Sequence, residues 1–275
     1  MKKKGLALFL MPGMLLLIFF LIIPLFASIG NTFVVDGGFS LSRYFDFFKD
    51  EYYLEIYMRT IKLGVVTTIL ATILGFPTAY YISRTNKKVR GLYIMFAVFP
   101  LLTSAVVRSF SWMVILGKRG IVNTVLMNIG IISKPLSLLY NEFSIVMGLL
   151  YLFLPLMIMS LVGVMENIDG DLTEAAESLG ATRFQAFFKV VFPLSVPGLI
   201  VGSILVFTGS ITAYTTPQLL GGSKAKVLST LIYQSAMSLF DWDTAAVVAT
   251  IMIVTTLIVS SIINMMASRI NSSRG

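Results

Sequence analysis

Long apolar runs alternate with shorter polar segments along this chain of 275 residues. A helix rises about 1.5 Å per residue, so about 20 apolar residues cross a bilayer core of roughly 30 Å. The pattern therefore predicts an all-α, polytopic membrane protein with six transmembrane helices in a single permease-like domain over 1–275. The six spans are predicted at about 5–29, 63–82, 92–116, 144–164, 194–216 and 244–267.

Clusters of basic residues indicate how these spans are oriented. Lysines occupy positions 2 to 4, and segment 83–90 carries four cations in eight residues. Cytoplasmic loops are enriched in Lys and Arg, so both clusters and both termini are predicted to be cytoplasmic. The first run is longer than the apolar region of a signal peptide, which favours a membrane helix. The outer loops are then 31–62, 117–143 and 217–243, and the long inner loop is 165–193.

The composition excludes several kinds of chemistry. Cysteine and histidine are both absent, which removes thiol nucleophiles, imidazole bases and the commonest transition-metal ligands. No catalytic residue and no metal site are predicted. The chain has no Gly-x-x-x-x-Gly-Lys-Ser/Thr segment, so we expect it to bind no ATP by a P-loop of its own.

The distribution of charge weighs against two further classes of protein. The net charge of +8 could suggest nucleic acid, but the basic residues flank apolar runs, where they orient membrane helices. The 13 acidic residues fall in loops or at span edges. An ion-coupled secondary transporter, which needs carboxylates at mid-membrane, and an intramembrane enzyme are therefore the weaker alternatives.

The inner loop 165–193 has the pattern of a helix, a sharp turn and a second helix. Asp171 followed by Glu174 resembles a capping box at a helix start. Gly180 is predicted to end this first helix, because glycine adopts the left-handed conformation at low cost. The apolar residues of the first helix fall on one face: Leu172, Ala175, Ala176 and Leu179.

A second amphipathic helix follows the turn. Phe184, Phe187, Phe188 and Val191 recur at helical spacing, and Pro193 is predicted to end the helix. The first helix offers two small alanines on one side and carboxylates on the other. That shape is suited to docking in a groove of another protein.

The same loop resembles a known family. Glu174-Ala175-Ala176, then Gly180, then Val190 and Phe192-Pro193 match the EAA loop of binding-protein-dependent ABC transporter permeases. The resemblance implies a type I importer permease of a bacterial cytoplasmic membrane, with transport by alternating access. It implies two separate ATPase subunits that bind the ATP and Mg²⁺, an external solute-binding protein, and no cofactor on this chain. It assigns ATPase coupling to Glu174, Ala175, Ala176, Leu179 and Gly180.

Other segments resemble the spermidine/putrescine-type permease subunits of that family. They are residues 106–112, 216–222 and 231–234, and the pair Asp241-Trp242. The resemblance implies import of a polyamine and pairing with a second, different permease, with a homodimer as the alternative. Where many relatives have Asp-Trp-Pro this chain has Asp241-Trp242-Asp243, which leaves other cargoes of the family open, such as 2-aminoethylphosphonate or ferric iron.

Two groups of residues are candidates for the transport pathway. Trp112 lies in the third span, and Phe207, Ser210 and Tyr214 form a stripe with Ser203 on one face of the fifth. Helix packing would also explain the serines of that stripe, because small residues let membrane helices approach closely.

The second group lies where the last outer loop enters the sixth span. Asp241, Trp242 and Asp243 would attract ammonium groups by charge and cation–π contact. Alternatively, Trp242 is an interfacial anchor and the aspartates cap the helix. Arg108 is predicted near the outer end of the third span, where a structural or gating role is favoured because a cation would repel a polyamine.

Overall fold

We describe residues 11–35 and 37–272 of a computed structural model of the chain, with side chains as far as residue 266. The predicted start of the first span and the lysines at positions 2 to 4 lie outside these residues. The helices are α1 (Met11–Thr32), α2 (Ser42–Lys49), α3 (Glu51–Arg84), α4 (Lys87–Leu102), α5 (Ala105–Leu116), α6 (Ile121–Asn128), α7 (Glu142–Met165), α8 (Gly170–Ser178), α9 (Arg183–Thr212), α10 (Thr215–Gly221), α11 (Leu228–Tyr233) and α12 (Trp242–Ser272). A short antiparallel hairpin joins β1 (Val34–Val35) to β2 (Gly38–Phe39).

Within the described residues, five helices are long and apolar enough to cross a membrane: α1, α3, α7, α9 and α12. The remaining predicted span, the third at 92–116, is not one helix. It is broken into α4 and α5, and the chain bends there by 94°. The prediction of six spans holds when this bent pair is counted as one.

The break in the third span occurs at Thr103 and Ser104, which are both extended. The hydroxyl of Thr103 donates to the carbonyl of Pro100 over 2.8 Å. Arg108 Nη1 donates to the same carbonyl over 2.7 Å. In a continuing helix, the carbonyl of Pro100 would accept from the backbone N–H four residues later. Here the side chains of Thr103 and Arg108 donate to it instead.

The described residues group into two compact units. The first takes the chain up to Glu55 together with Leu231–Ile251, and the second takes Ile56–Thr230 together with the described residues from Met252 onward. The predicted single permease domain over 1–275 stays a prediction.

In the first unit, polar and aromatic contacts join α2 to the beginning of α12. Arg43 on α2 forms an ion pair of 2.8 Å with Asp243. Phe47 is buried and stacks on Tyr53 with 5.2 Å between the ring centroids. The hairpin pairs Val34 with Phe39.

In the second unit, α7 lies at the centre and packs along α9. Small residues allow this close approach, as is common between membrane helices. A Cβ at Gly198 would lie 2.8 Å from the carbonyl oxygen of Ser160, and one at Gly202 would lie 2.6 Å from the sulfur of Met157. The Ser160 hydroxyl donates to the carbonyl of Gly198 over 2.7 Å. This pair of helices holds the loop between them, 165–193, at one end of the unit.

Candidate coupling loop and pathway residues

The first helix of the loop, α8, begins two residues earlier than predicted. Its N-cap is Asp169, whose carboxylate accepts from the backbone N–H of Asp171 over 3.2 Å. The predicted capping box at Asp171 and Glu174 is therefore wrong. Asp171 lies instead in the first turn, where the helix dipole favours a carboxylate.

The prediction that Gly180 ends this helix is confirmed. Gly180 has φ of +89°, in the left-handed region that side chains disfavour. Its N–H donates to the carbonyl of Glu177 over 2.9 Å, and the N–H of Ala181 donates to the carbonyl of Ala176 over 3.0 Å. These two bonds form a Schellman motif, which satisfies carbonyls that a helix end otherwise leaves unpaired.

The five residues predicted to couple to the ATPase all lie on α8 and its C-terminal turn. Glu174, Ala175, Leu179 and Gly180 are exposed, and Ala176 is half-buried. Leu179 has 90% of its surface exposed. No residue of α8 is buried. The helix thus presents an apolar residue and carboxylates to its surroundings, and the coupling role of these residues stays a prediction.

The second half of the loop is the first part of α9, which packs onto its own chain. Thr182 and Gln185 form a capping box, with bonds of 3.3 and 3.0 Å. Phe187 lies edge-on to Tyr80 of α3 at 5.1 Å between ring centroids. Val191 is buried, while Phe184 keeps 73% of its surface exposed.

The predicted helix end at Pro193 is wrong, because α9 continues through it to Thr212. Phe187–Val191 is a π-helical segment, in which the N–H of Phe192 donates to the carbonyl of Phe187. A π-helical turn is wider than an α-helical turn. We attribute the tolerance of Pro193 to this wider turn, since the proline ring would otherwise crowd the carbonyl four residues earlier.

Two arginines that the sequence indicated only as topology signals hold the entry to the loop. Arg90 on α4 forms an ion pair of 2.8 Å with Glu166, at the end of α7. Arg84, the last residue of α3, donates through Nη1 to the carbonyl of Ile168 over 3.2 Å. One signal in the sequence could have predicted the contact between Arg90 and Glu166. Glu166 is an acidic residue at the end of an apolar run, on the same predicted cytoplasmic side as the basic cluster 83–90.

The candidate pathway residues of the third span border a cavity of about 300 Å³. Trp112 is half-buried and meets Tyr151 edge-on at 5.9 Å between ring centroids. Arg108 is buried beside them. Its guanidinium donates to the carbonyls of Pro100 and Thr103 over 2.7 and 3.4 Å, and its structural or gating role stays a prediction.

The prediction that Tyr214 shares a helix face with Ser203, Phe207 and Ser210 is wrong, because α9 ends at Thr212 and Tyr214 precedes α10. These candidate residues are mostly packed inside the second unit. Phe207 and Ser210 are buried and Tyr214 is half-buried. A Cβ at Gly64 of α3 would lie 3.1 Å from the Phe207 ring, so this side chain fills the space between two helices. Phe207 and Ser203 also line an apolar groove of about 530 Å³. Their part in a pathway stays a prediction.

In the first unit, the aspartates at the start of α12 have different roles. Asp241 caps the helix, accepting from the N–H of Thr244 over 2.9 Å. Hydrogen bonds from the Thr244 side chain and backbone, together with the charge of Arg43, hold the pKa of Asp241 below its ordinary value. Asp243 pairs with Arg43, and Trp242 is exposed. The alternative in which the aspartates cap the helix is confirmed for Asp241, while Asp243 forms an ion pair instead, and the anchoring role of Trp242 stays a prediction.

The candidate pathway residues thus divide between the two units. Trp112, Phe207, Ser210 and Tyr214 belong to the second unit, and 241–243 belong to the first. Within the first unit, Asp243 also lines a cavity of about 290 Å³ with Asp46, Asp50 and Tyr53. Asp46 and Asp50 were not among the predicted residues, because they lie between aromatic residues in segment 31–62, which was predicted only as an outer loop.

A family model described as "Binding-protein-dependent transport system inner membrane component" matches residues 6–272. The chain belongs to this family of ABC importer permeases. The predicted family, the type I importer permease fold and the multi-pass membrane character are thereby confirmed.

Comparison with individual proteins agrees with the family. The permease is 32% identical over 240 residues to the spermidine/putrescine transport system permease protein PotB of Haemophilus influenzae, covering 85% of this chain and 84% of the relative. It is 28% identical over 237 residues to PotB of Escherichia coli, covering 84% and 86%. Its fold resembles a chain of the bacterial alginate ABC transporter in complex with an alginate pentasaccharide-bound periplasmic protein, with a TM-score of 0.82, 20% identity and coverage of 98% and 96%.

Proposed function

We propose that this permease imports a polyamine such as spermidine or putrescine across a bacterial cytoplasmic membrane. A separate ATPase drives transport by alternating access. The observation that carries the choice of cargo is the similarity, over about 85% of the chain, to a relative named as a spermidine/putrescine permease. Permeases of one fold serve different solutes, so fold likeness to an alginate transporter does not bear on the cargo.

The chemistry of the first unit is compatible with a cationic cargo. Asp46, Asp50 and Asp243 line one cavity, and the one cation among the residues lining it is Arg43, which pairs with Asp243. The rings of Phe47 and Tyr53 line the same cavity. Carboxylates and aromatic faces are the groups that attract ammonium ions.

The exposed face of α8 supports docking on the ATPase. Leu172 and Leu179 are apolar and exposed, and exposed carboxylates at Glu174 and Glu177 accompany them. In this proposal, closure of the ATPase dimer moves α8, and the movement passes to the membrane helices as a rigid-body displacement. In this proposal the partner ATPase subunit binds and hydrolyses the ATP.

The test of the cargo is uptake by proteoliposomes that contain the complete complex, with binding protein outside and ATP inside. Radiolabelled spermidine, putrescine, alginate oligosaccharide and ferric iron are compared in parallel. We expect uptake of a polyamine alone. Uptake of iron or alginate without either polyamine would reject the cargo and leave the family assignment intact.

A matched pair of variants tests the acidic cavity. Replacing Asp46 and Asp50 together with Asn removes two negative charges from its lining, so we expect the KM for spermidine to rise while kcat changes little. Lys49→Gln lies on the same helix but does not line the cavity, and its KM should stay within twofold of wild type. Equal KM values for the two variants would contradict a role for the cavity in cargo entry.

We also propose that the working complex contains a second, different permease, two ATPase subunits and an external solute-binding protein. Each ATPase needs one coupling loop, and this chain offers one such loop, at 165–193. Co-purification with the tagged chain followed by native mass measurement tests the composition. Two copies of this chain with no second permease would favour the homodimer instead.

A further inference from the structure

A polar junction joins three helices, α3, α4 and α7, at the base of the coupling loop. Arg90 is at its centre: Nη1 pairs with Glu166 over 2.8 Å, and Nη2 donates to the carbonyls of Ser83 and Thr85 over 2.7 and 3.2 Å. Glu166 follows the last residue of α7, and Ser83 and Thr85 flank the last residue of α3. One side chain on α4 therefore binds the ends of two other helices.

The chemistry of arginine suits this position. The last carbonyls of a helix lack backbone partners, and a planar guanidinium can satisfy several acceptors at once. The Arg90 side chain is 19% exposed and that of Glu166 is 38% exposed, so water screens the pair less than it screens a fully exposed one. A lysine at this position would keep the charge, but its single ammonium group would not reproduce the hydrogen bonds that the two guanidinium nitrogens make in different directions.

Arg84 provides a second link, closer to α8. Its Nη1 donates to the carbonyl of Ile168, the residue that precedes the Asp169 cap. Its guanidinium carbon lies 5.8 Å from the centroid of the Tyr80 ring, within cation–π distance. The residue that precedes the N-cap of α8 is thus bonded to the last residue of α3.

The far side of the loop returns to the same part of α3. Phe187 contacts Tyr80 and lies edge-on to Phe76 with 5.7 Å between ring centroids. The last turns of α3 therefore contact the loop on both sides of α8, through polar bonds before it and through aromatic rings after it.

We propose that Arg84 and Arg90 are positioning residues that transmit movement of the coupling loop to α3 and α4. The proposal rests on the proposed function, because it presumes that α8 is moved by an ATPase. Without the two arginines, α8 could shift against its own membrane helices, and ATP would be hydrolysed without moving the pathway.

The other end of α7 provides a matched control. Glu142, the first residue of α7, pairs with two cations of α3: Lys62 over 2.7 Å and Arg59 over 3.4 Å. These ion pairs also join α3 to an end of α7, but they lie at the opposite end from the coupling loop. Loss of a generic α3–α7 ion pair is therefore separable from loss of the junction at the loop.

The first experiment measures whether the loop and the membrane helices move together. The chain contains no cysteine, so labels can be placed at Ser178→Cys on α8 and Lys88→Cys on α4 without removing native thiols. Electron spin distances are measured in the complete complex with and without a non-hydrolysable ATP analogue. In the wild-type background we expect one narrow distribution that shifts by no more than about 2 Å, the size of helix shifts at interfaces.

In the Arg90→Gln background we expect a broad distribution that changes when the ATP analogue binds. Glu142→Gln, which removes both ion pairs at the opposite end of α7, should keep the wild-type distribution. This measurement uses no cargo, so an error in the choice of polyamine would not affect it. A wild-type distribution in Arg90→Gln would overturn the proposal.

The second experiment measures cargo-stimulated ATP hydrolysis by the same complexes. We expect Arg90→Gln to lower the stimulation about three- to tenfold, which lies within the roughly 2- to 30-fold effect of single residues that modulate coupling between sites, with basal hydrolysis unchanged. Glu166→Ala removes the ion pair but leaves Arg90 its two carbonyl partners. This variant replaces Arg90→Gln in the measurement if the Arg90→Gln complex does not assemble. Because the two residues act through one contact, the double variant should lose no more than Arg90→Gln alone. Additive losses would contradict a shared contact.

Discussion

The two halves of the coupling loop look alike in sequence and differ in what surrounds them. Both α8 and the first part of α9 begin with a side-chain cap and place apolar residues on one face. No residue of α8 is buried, whereas Ala186 and Val191 of α9 are buried and Phe187 contacts α3. The second half is thus fixed to the permease, and the first half leaves its apolar residues for another surface.

This difference teaches that amphipathic spacing predicts a helix with an apolar face but does not predict what covers that face. In α9 the covering residues, Phe76 and Tyr80, come from α3, more than 100 residues earlier in the chain. In α8, no described residue buries the side chains of Leu172 and Leu179. We therefore expect the packed half of the loop, at the start of α9, to govern stability and the exposed half, α8, to govern coupling.

The largest effect is expected from Phe187→Ala. Removing a half-buried ring that contacts three other aromatic side chains should lower the free energy of unfolding by about 2 to 3 kcal/mol. Phe184→Ala, on the same helix with its ring 73% exposed, should change it by less than about 0.5 kcal/mol. Thermal unfolding of the purified complex in detergent measures both, and equal losses would remove the distinction between packed and free faces.

Gly180→Val should act on coupling instead of on membrane insertion. A β-branched residue at φ of +89° costs about 1 to 3 kcal/mol of local strain, so the turn that presents α8 should shift. We expect cargo-stimulated ATP hydrolysis to be lost while the complex still assembles. Gly180→Asn, which tolerates the left-handed region better, should retain most of the stimulation. Full stimulation in Gly180→Val would show that the turn does not control coupling.

A smaller effect is expected at the beginning of α8. Asp169→Ala removes the N-cap and should cost about 1 kcal/mol of helix stability, whereas Asp169→Asn keeps an acceptor and should cost little. Amide hydrogen exchange of 170–178 measures the fraying directly. Unchanged exchange in the alanine variant would mean that the cap contributes nothing to the order of α8.

The smallest effect on stability is expected at Leu179, with 90% of its surface exposed. Leu179→Ser should leave the unfolding temperature of the isolated permease within error of wild type, because nothing in its own chain is lost. It should nevertheless weaken binding of the ATPase, measured by co-purification at increasing salt. Wild-type binding would place Leu179 outside the docking surface.

The sequence predicted the features that depend on local chemistry. Gly180 ends α8 because its left-handed turn is a property of one residue and its neighbours. The spans follow from the length of apolar runs, but apolar character does not predict burial. The helices α1 and α7 are equally apolar, yet none of the apolar stretch of α1 is buried, whereas more than half of the apolar stretch of α7 is buried. Hydropathy indicates a membrane helix without identifying its neighbours.

The features that the sequence did not predict depend on contacts between distant residues or on weak local signals. The break at Thr103 is accompanied by two side-chain hydrogen bonds to the carbonyl of Pro100, one from Thr103 and one from Arg108, and hydropathy does not predict such contacts. The pair Arg90–Glu166 joins residues 76 positions apart. Asp46 and Asp50 share a cavity with Asp243 only because the chain returns there after nearly 200 residues.

The π-helical segment Phe187–Val191 sets the rotational phase of α9. A π-helical turn accommodates one residue more than the α-helical ladder, and each residue turns an α-helix by about 100°. The face that carries Phe187 and the face that carries Phe207 are therefore offset relative to an uninterrupted helix. Deletion of a single residue within this segment would re-phase the two ends of α9, so the loop end could keep its contacts with α3 only if the membrane end gave up its own.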